Sequence, residues 1–325
     1  MYMDHFGLTR RPFTLMAETE HVFFSDGHAE AMAAMLYALA EYQGLFLLVG
    51  EPGTGKTTVL RSTLRELSGT RAEIIEIDNP LLTSAEDLVD ELLETLEPAA
   101  IGQSKRLKFR SLQSALYMRR ASGFLPVIVA DEAHDLRVEV LELLRRISNL
   151  EYAEGRLVQI VLAGQPEITS RLEQPELRAL AQRVPLRAHL EHLSLSETEE
   201  YIRWRLYCAG GGYREIFTSA AMQSLFHLTG GIPRLLNQLA DQCLLAAFSK
   251  RQFLVEMPLV KDVGQHLGLT PSGELIETGT HNSRTADASR NREPQGAMPH
   301  ALSEYLIRFR NRMVESPLHE RTITN

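Results

Sequence analysis

The chain has 325 residues, 44% of them apolar and 23% charged, with a formal net charge of −8. That is the balance of a globular protein with one large or two ordinary domains, and the negative charge excludes a surface attractive to nucleic acid all over, while leaving room for a local basic face. No run approaches the roughly 18 apolar residues of a spanning helix and no apolar stretch follows Arg10 and Arg11, so neither a transmembrane segment nor a secretory leader is expected, and the cytoplasm is the expected location.

The chain opens on an irregular, aromatic-rich lead-in containing His5-Phe6-Gly7-Leu8 and Pro12-Phe13. Two readings stay open for it: packing over an adenine base, or covering the edge of the core. Asp26-Gly27-His28 then starts a helical pattern with Met32, Met35, Leu36 and Leu39 on one face, a core stripe. Leu45–Val49 reads as the first strand. Gly50-Glu51-Pro52-Gly53-Thr54-Gly55-Lys56-Thr57 follows, and Thr58 continues into a helix. Strand, glycine-rich loop and helix are the context of a phosphate-binding loop, in which backbone N–H groups and a helix N-terminus face phosphate oxygens. Residues Gly50 to Thr58 are the expected nucleotide contacts. Lys56 is expected to reach the β and γ phosphates, and the Thr57 hydroxyl to ligate Mg²⁺.

Ala72–Asp78 reads as the second strand, ended by Asn79-Pro80, and Ser84–Leu96 as an acidic amphipathic helix opened by Ser84 and Asp87. Residues 98–130 hold no acidic residue but carry Lys105, Arg106, Lys108, Arg110, Arg119 and Arg120. This is either a solvated helix face or a patch facing an anionic partner such as double-stranded DNA, with Lys105, Arg106, Lys108 and Arg110 as contacts. The apolar run from Pro126 ends in Asp131-Glu132-Ala133-His134, the carboxylate pair expected downstream of a phosphate loop. Asp131 is expected in the Mg²⁺ shell and Glu132 as the base that orients and deprotonates the attacking water; His134 reads as structural.

Val138–Leu150 reads as a helix and Leu157–Leu162 as the fourth strand, whose tip offers Gln165 to a γ-phosphate or to the attacking water. Gln174–Gln182 reads as a helix, Arg183 precedes a fifth strand over Val184–Leu190, and the pattern is all-helical after Leu193. Ser196 and Glu199 suggest a capping box before a helix to Tyr207. Helices follow over Thr218–Leu228, from Pro233 to about Ser249, and over Pro258–Leu267. The two cysteines, Cys208 and Cys243, fall in apolar helical patterns and read as free thiols, which suits a reducing compartment. Residues 269–325 read as a largely disordered linker ending in a short helix, Ala301–Val314, that either docks back or binds a partner. The expected domains are therefore 1–193, 194–268 and this tail.

Taken together, Gly50–Thr57, Asp131-Glu132, Gln165, Gln182-Arg183 and Gly230-Gly231-Ile232-Pro233-Arg234 resemble the AAA+ ATPases. With His5-Phe6-Gly7-Leu8, Pro12-Phe13, Ser148-Asn149-Leu150-Glu151 and Gly164-Gln165-Pro166-Glu167, residues 1–268 resemble the general secretion pathway protein A family. The resemblance implies an α/β fold with a five-stranded parallel sheet in the order 5-1-4-3-2, a C-terminal helical lid, and ATP with Mg²⁺ as cofactors. It implies that Gln165 is sensor 1, Arg234 is sensor 2, and Asn79 restrains Glu132. Arg183, with Arg178 as runner-up, would be an arginine finger acting on a neighbouring subunit, which requires a homo-oligomeric ring or filament. Secretion members typically continue into a membrane segment and a peptidoglycan-binding domain, which this sequence does not contain. Three functions are compatible: an ATP-hydrolysing switch that assembles a secretion or pilus apparatus; an ATP-dependent, DNA-binding regulator of transposition that recruits a transposase; and a nucleotide-dependent scaffold with negligible turnover.

Overall fold

The computed structural model describes residues 2–14, 22–77, 82–152, 155–212 and 214–269. Asn79, the polar linker and the segment Ala301–Val314 lie outside the described residues. Two compact units form, and each stands on its own core.

The α/β unit spans residues 26–52 and 56–190. Its strands are β1 (Leu45–Gly50), β2 (Ala72–Glu76), β3 (Leu125–Ala130), a short antiparallel hairpin β4 (Glu151–Tyr152) and β5 (Gly155–Arg156), β6 (Gln159–Gly164) and β7 (Leu186–Leu190). The main sheet runs β2-β3-β6-β1-β7, all parallel. With the hairpin left out of the count this is 5-1-4-3-2; the hairpin, which the sequence reading did not anticipate, shifts the numbering only. The three central strands, LFLLVG, LPVIVA and QIVLAG, are buried at every position. Continuous apolar runs of this kind are what a parallel sheet covered on both faces needs, whereas the edge strand β7 alternates. One polar residue in this layer, Gln159, is satisfied: its Oε1 accepts from the Gly44 N–H at 2.8 Å and its Nε2 donates to the Val158 carbonyl at 3.2 Å.

The helices of this unit are α2 (Asp26–Ala40), α3 (Lys56–Leu67), α4 (Ala85–Leu96), α5 (Lys105–Ala121), α6 (Val138–Ser148), α7 (Glu167–Leu172) and α8 (Arg178–Ala181). Leu88, Leu92, Leu93, Leu112, Leu116, Leu141 and Leu144 join Ile128, Ile160 and Leu162 in one core. Of the helix expected over Gln174–Gln182 only Arg178–Ala181 (α8) is helical, and α7 precedes that span. The chain turns between them, with the Leu177 N–H donating to the Gln174 carbonyl at 3.0 Å.

The helical unit takes in residues 2–14, 22–25, 53–55 and 191–269. It contains α1 (Tyr2–Phe6), α9 (Leu195–Leu206), α10 (Ser219–Thr229), α11 (Pro233–Ser249) and α12 (Met257–His266). Here the expected boundary at residues 1–193 needs correction, because the N-terminal lead-in belongs to this unit. Tyr2, Phe6, Leu8, Phe13 and Phe23 are buried among Tyr201, Ile202, Leu225, Leu236 and Leu244; each apolar side chain so buried contributes about 1.5–3 kcal/mol. Polar contacts fix the segment: the Tyr2 hydroxyl donates to Asp241 at 2.5 Å, the Thr9 N–H to the Ala209 carbonyl at 2.8 Å, and Arg205 Nε to the Pro12 carbonyl at 2.6 Å. The described part of the lead-in covers a core edge, and the core is that of the helical unit. The capping box of α9 is Ser194 with Glu197, two residues before the expected Ser196 and Glu199. Cys208 and Cys243 are free thiols, as expected.

The turn between α10 and α11 explains the glycines of Gly230-Gly231-Ile232-Pro233-Arg234. Gly230 closes α10 in the left-handed conformation, its N–H donating to the Phe226 carbonyl. Gly231, at φ 75°, lies so close to residue 193 that a Cβ there would sit 2.0 Å from the Leu193 carbonyl oxygen. The two residues are joined by the Leu193 N–H donating to the Gly231 carbonyl at 3.0 Å. Pro233 then opens α11 at a position where its missing N–H costs nothing.

Candidate nucleotide-binding site

Three strand ends build the site. β1, β6 and β3 lie side by side and point the same way, so Gly50, Gly164 and Ala130 bring the residues after them to one edge of the sheet. This is the carboxyl end, where open parallel α/β sheets bind ligands. After Gly50 the loop turns through Gly53 (φ 84°) and Gly55 (φ 103°), left-handed conformations that a side chain would strain, and α3 begins at Lys56. The Gly53 carbonyl accepts the Arg234 N–H at 3.3 Å. Arg234 itself is exposed in the first turn of α11.

Lys56 is buried, with Nζ donating to the carbonyls of Gly50 at 2.8 Å and Glu51 at 3.0 Å. Burial lowers its pKa, while the carboxylates of Glu132, Asp131, Glu167 and Glu51 pull the other way. The Thr57 hydroxyl donates to Asp131 Oδ2 at 2.8 Å, and Oδ1 of the same carboxylate accepts the Glu132 N–H at 2.9 Å. Asp131 is thus oriented by two hydrogen bonds, with one oxygen beside Thr57.

This oxygen pair fits a hard cation. Mg²⁺ takes oxygen ligands, and the Thr57 hydroxyl and the Asp131 carboxylate stand side by side here, joined by a hydrogen bond of ordinary length, 2.8 Å. Among the described residues, no group of three or more His, Cys, Asp or Glu side chains could hold a metal ion. A two-oxygen site of this kind suits an ion that brings waters and phosphate oxygens as its remaining ligands.

Glu132 follows in the left-handed conformation, φ 51° and ψ 38°, before a single 3-10 turn at Ala133–Asp135. For a non-glycine residue this is a strained backbone, of a kind that clusters at functional sites. Its side chain is about half exposed, with Oε2 3.4 Å from His134 Nδ1. Gln165 heads the segment after β6, and its N–H points at the same His134 Nδ1, also at 3.4 Å. The structure therefore brings Lys56, Thr57, Asp131, Glu132 and Gln165 to one sheet edge. His134, read as structural from the sequence, stands between two of them. The one sign of this in the sequence was its place in Asp-Glu-Ala-His.

The remaining expected residues lie elsewhere. Arg178 and Arg183, in and just after α8, are both exposed. Lys105, Arg106 and Arg110 are exposed on α5, but Lys108 is buried and paired with Asp90 at 2.8 Å and Glu86 at 3.4 Å. Of the other two cations in this stretch, Arg119 meets Glu73 at 3.2 Å and Arg120 lies over the Tyr42 ring, 4.9 Å from its centroid. The acid-free stretch is therefore no continuous basic face, because acids from α4 and β2 answer several of its charges.

A family model described as an AAA domain matches residues 39–172. General secretion pathway protein A of Aeromonas hydrophila is 42% identical over 250 residues, which cover 77% of this chain and 45% of that protein. This chain belongs to the AAA+ ATPases and is related to general secretion pathway protein A. It spans less than half the length of that relative. The fold is also similar to solved AAA+ structures at low identity. Drosophila ORC bound to DNA has a TM-score of 0.61 at 16% identity, covering 83% of this chain and 66% of that one. The Aeropyrum pernix ORC1 protein in complex with DNA has a TM-score of 0.59 at 20% identity, covering 79% and 69%. The Thermotoga maritima RuvB Holliday junction branch migration motor has a TM-score of 0.52 at 18% identity, covering 78% and 74%. These likenesses concern the AAA+ fold. No helix among the described residues is long and apolar enough to cross a membrane.

Proposed function

We propose that this AAA+ protein hydrolyses ATP at the β1–β6–β3 edge and works as a nucleotide-controlled oligomeric switch in the assembly of a secretion or pilus apparatus. The observation that carries the reading is the 2.8 Å approach of Thr57 to Asp131 beside the buried Lys56 and next to the strained Glu132. Lys56 and the loop N–H groups hold the phosphates, and Thr57 with Asp131 would hold Mg²⁺, which when bound would supply positive charge against the phosphate oxygens. Glu132 takes the proton of the attacking water, and Gln165 orients that water or the γ-phosphate. Arg183 or Arg178, exposed near the edge strand β7, reaches the nucleotide of a neighbouring subunit. The kinship to general secretion pathway protein A supports the envelope role.

The test is phosphate release with ATP and Mg²⁺, followed against protein concentration alongside light scattering. Turnover per protomer should rise as oligomers form and vanish in Lys56→Ala together with ATP binding. A rate per protomer independent of concentration would remove the oligomeric part. A second reading, ATP-dependent binding of duplex DNA in transposition, is favoured by the exposed Lys105, Arg106 and Arg110 on α5.

A further inference from the structure

His134 Nδ1 has two neighbours that ask opposite things of it. The Gln165 backbone N–H, at 3.4 Å, needs a lone pair there, whereas the Glu132 carboxylate, at 3.4 Å, needs a proton there. One nitrogen cannot serve both. Its other nitrogen, Nε2, faces Asp135 Oδ1 at 3.6 Å, the distance of a charge contact and too long for a hydrogen bond. The ring is largely buried, so these partners weigh on its tautomer. The turn that carries it is pinned from α7: Arg171 donates from Nη1 to the His134 carbonyl and from Nη2 to the Leu136 carbonyl at 2.6 Å. The backbone is held, and the imidazole proton is the part left free to change.

We propose that His134 is a positioning residue whose tautomer couples Gln165 to Glu132. With the proton on Nε2, the Nδ1 lone pair binds the Gln165 N–H and turns no donor toward Glu132, whose carboxylate is then free to take a water proton. With the proton on Nδ1, the carboxylate is held on the ring and the Gln165 N–H loses its acceptor. Passing from one form to the other takes a proton off one ring nitrogen and puts a proton on the other, with water as the carrier. A shift of the Gln165 segment on ATP binding is thereby read at the base. This deepens the hydrolytic reading above and rests on it.

The test uses the full chain. His134→Ala should lower kcat about tenfold with KM for ATP unchanged, and His134→Asn, whose Oδ1 takes the place of Nδ1, should restore most of it. Imidazole ¹⁵N spectra, with the His134 signals assigned by their loss in His134→Asn, should show the proton on Nδ1 without nucleotide and on Nε2 with a non-hydrolysable ATP analogue. A wild-type chain that hydrolyses ATP while His134→Ala matches it, or a tautomer unchanged by the analogue, overturns the proposal. A wild-type chain with no turnover overturns the hydrolytic reading instead, and the spectra still decide the tautomer.

Discussion

Replacing Gly231 by alanine tests why the turn before α11 is built as it is. The added Cβ would stand 2.0 Å from the Leu193 carbonyl oxygen, on a backbone at φ 75°. Left-handed backbone costs a side-chain-bearing residue about 1–2 kcal/mol. Relieving the overlap takes about 1 Å of backbone movement, which breaks the Leu193–Gly231 hydrogen bond and loses about 0.5–1.5 kcal/mol more. The expected loss is therefore about 1.5–3.5 kcal/mol. Gly268 is the control, because it lies in the same unit at φ 69° with nothing within 4 Å of an added Cβ; Gly268→Ala should show the backbone term alone. Trp204, the single tryptophan of the chain, sits in α9 and reports on this unit by fluorescence during urea titration. If Gly231→Ala and Gly268→Ala unfold at the same urea concentration, the Leu193 contact does not constrain the turn and the explanation of the paired glycines fails.

The finger assignment predicts that either Arg183→Ala or Arg178→Ala lowers kcat about 10³-fold while ATP binding is kept. Mixing that variant with Glu132→Gln should recover turnover, since each supplies what the other lacks; a silent mixture contradicts a finger acting in trans. On α5, Arg106→Ala and Arg110→Ala should flatten the salt dependence of any duplex binding. Lys108→Met should leave that dependence alone and lower stability instead, because Lys108 is engaged by Asp90 and Glu86; salt titrations by fluorescence anisotropy separate the two outcomes. Burial pushes the Cys243 thiol up to about 12, so at pH 8 it stays protonated and unreactive. Thiol titration of the native chain should leave Cys243 unmodified, with reaction there only after unfolding.

How much of this was legible in the sequence follows from physical range. The phosphate loop, the Asp131-Glu132 strand end and the central strands are local patterns, set by backbone geometry within a few residues or by burial on both sheet faces. The N-terminal lead-in was not legible in the same way: Phe6, Phe13 and Phe23 follow no helix or strand period, and their partners Tyr201 and Leu225 lie far along the chain. Lys108 looked like its neighbours Lys105 and Arg110 because nothing local shows that Asp90 of α4 folds against it. The place of His134 between Glu132 and Gln165 likewise depends on β3 and β6 being adjacent in the sheet.

The most direct test of the account is single-turnover hydrolysis of ATP with Mg²⁺ by the wild-type chain and by Glu132→Gln. Glutamine keeps the size of the side chain and removes the base, so ATP affinity should be unchanged while the rate of hydrolysis falls by about 10²–10⁴. A Glu132→Gln chain that binds ATP and cleaves it at the wild-type rate would contradict the placing of the chemistry at this strand end.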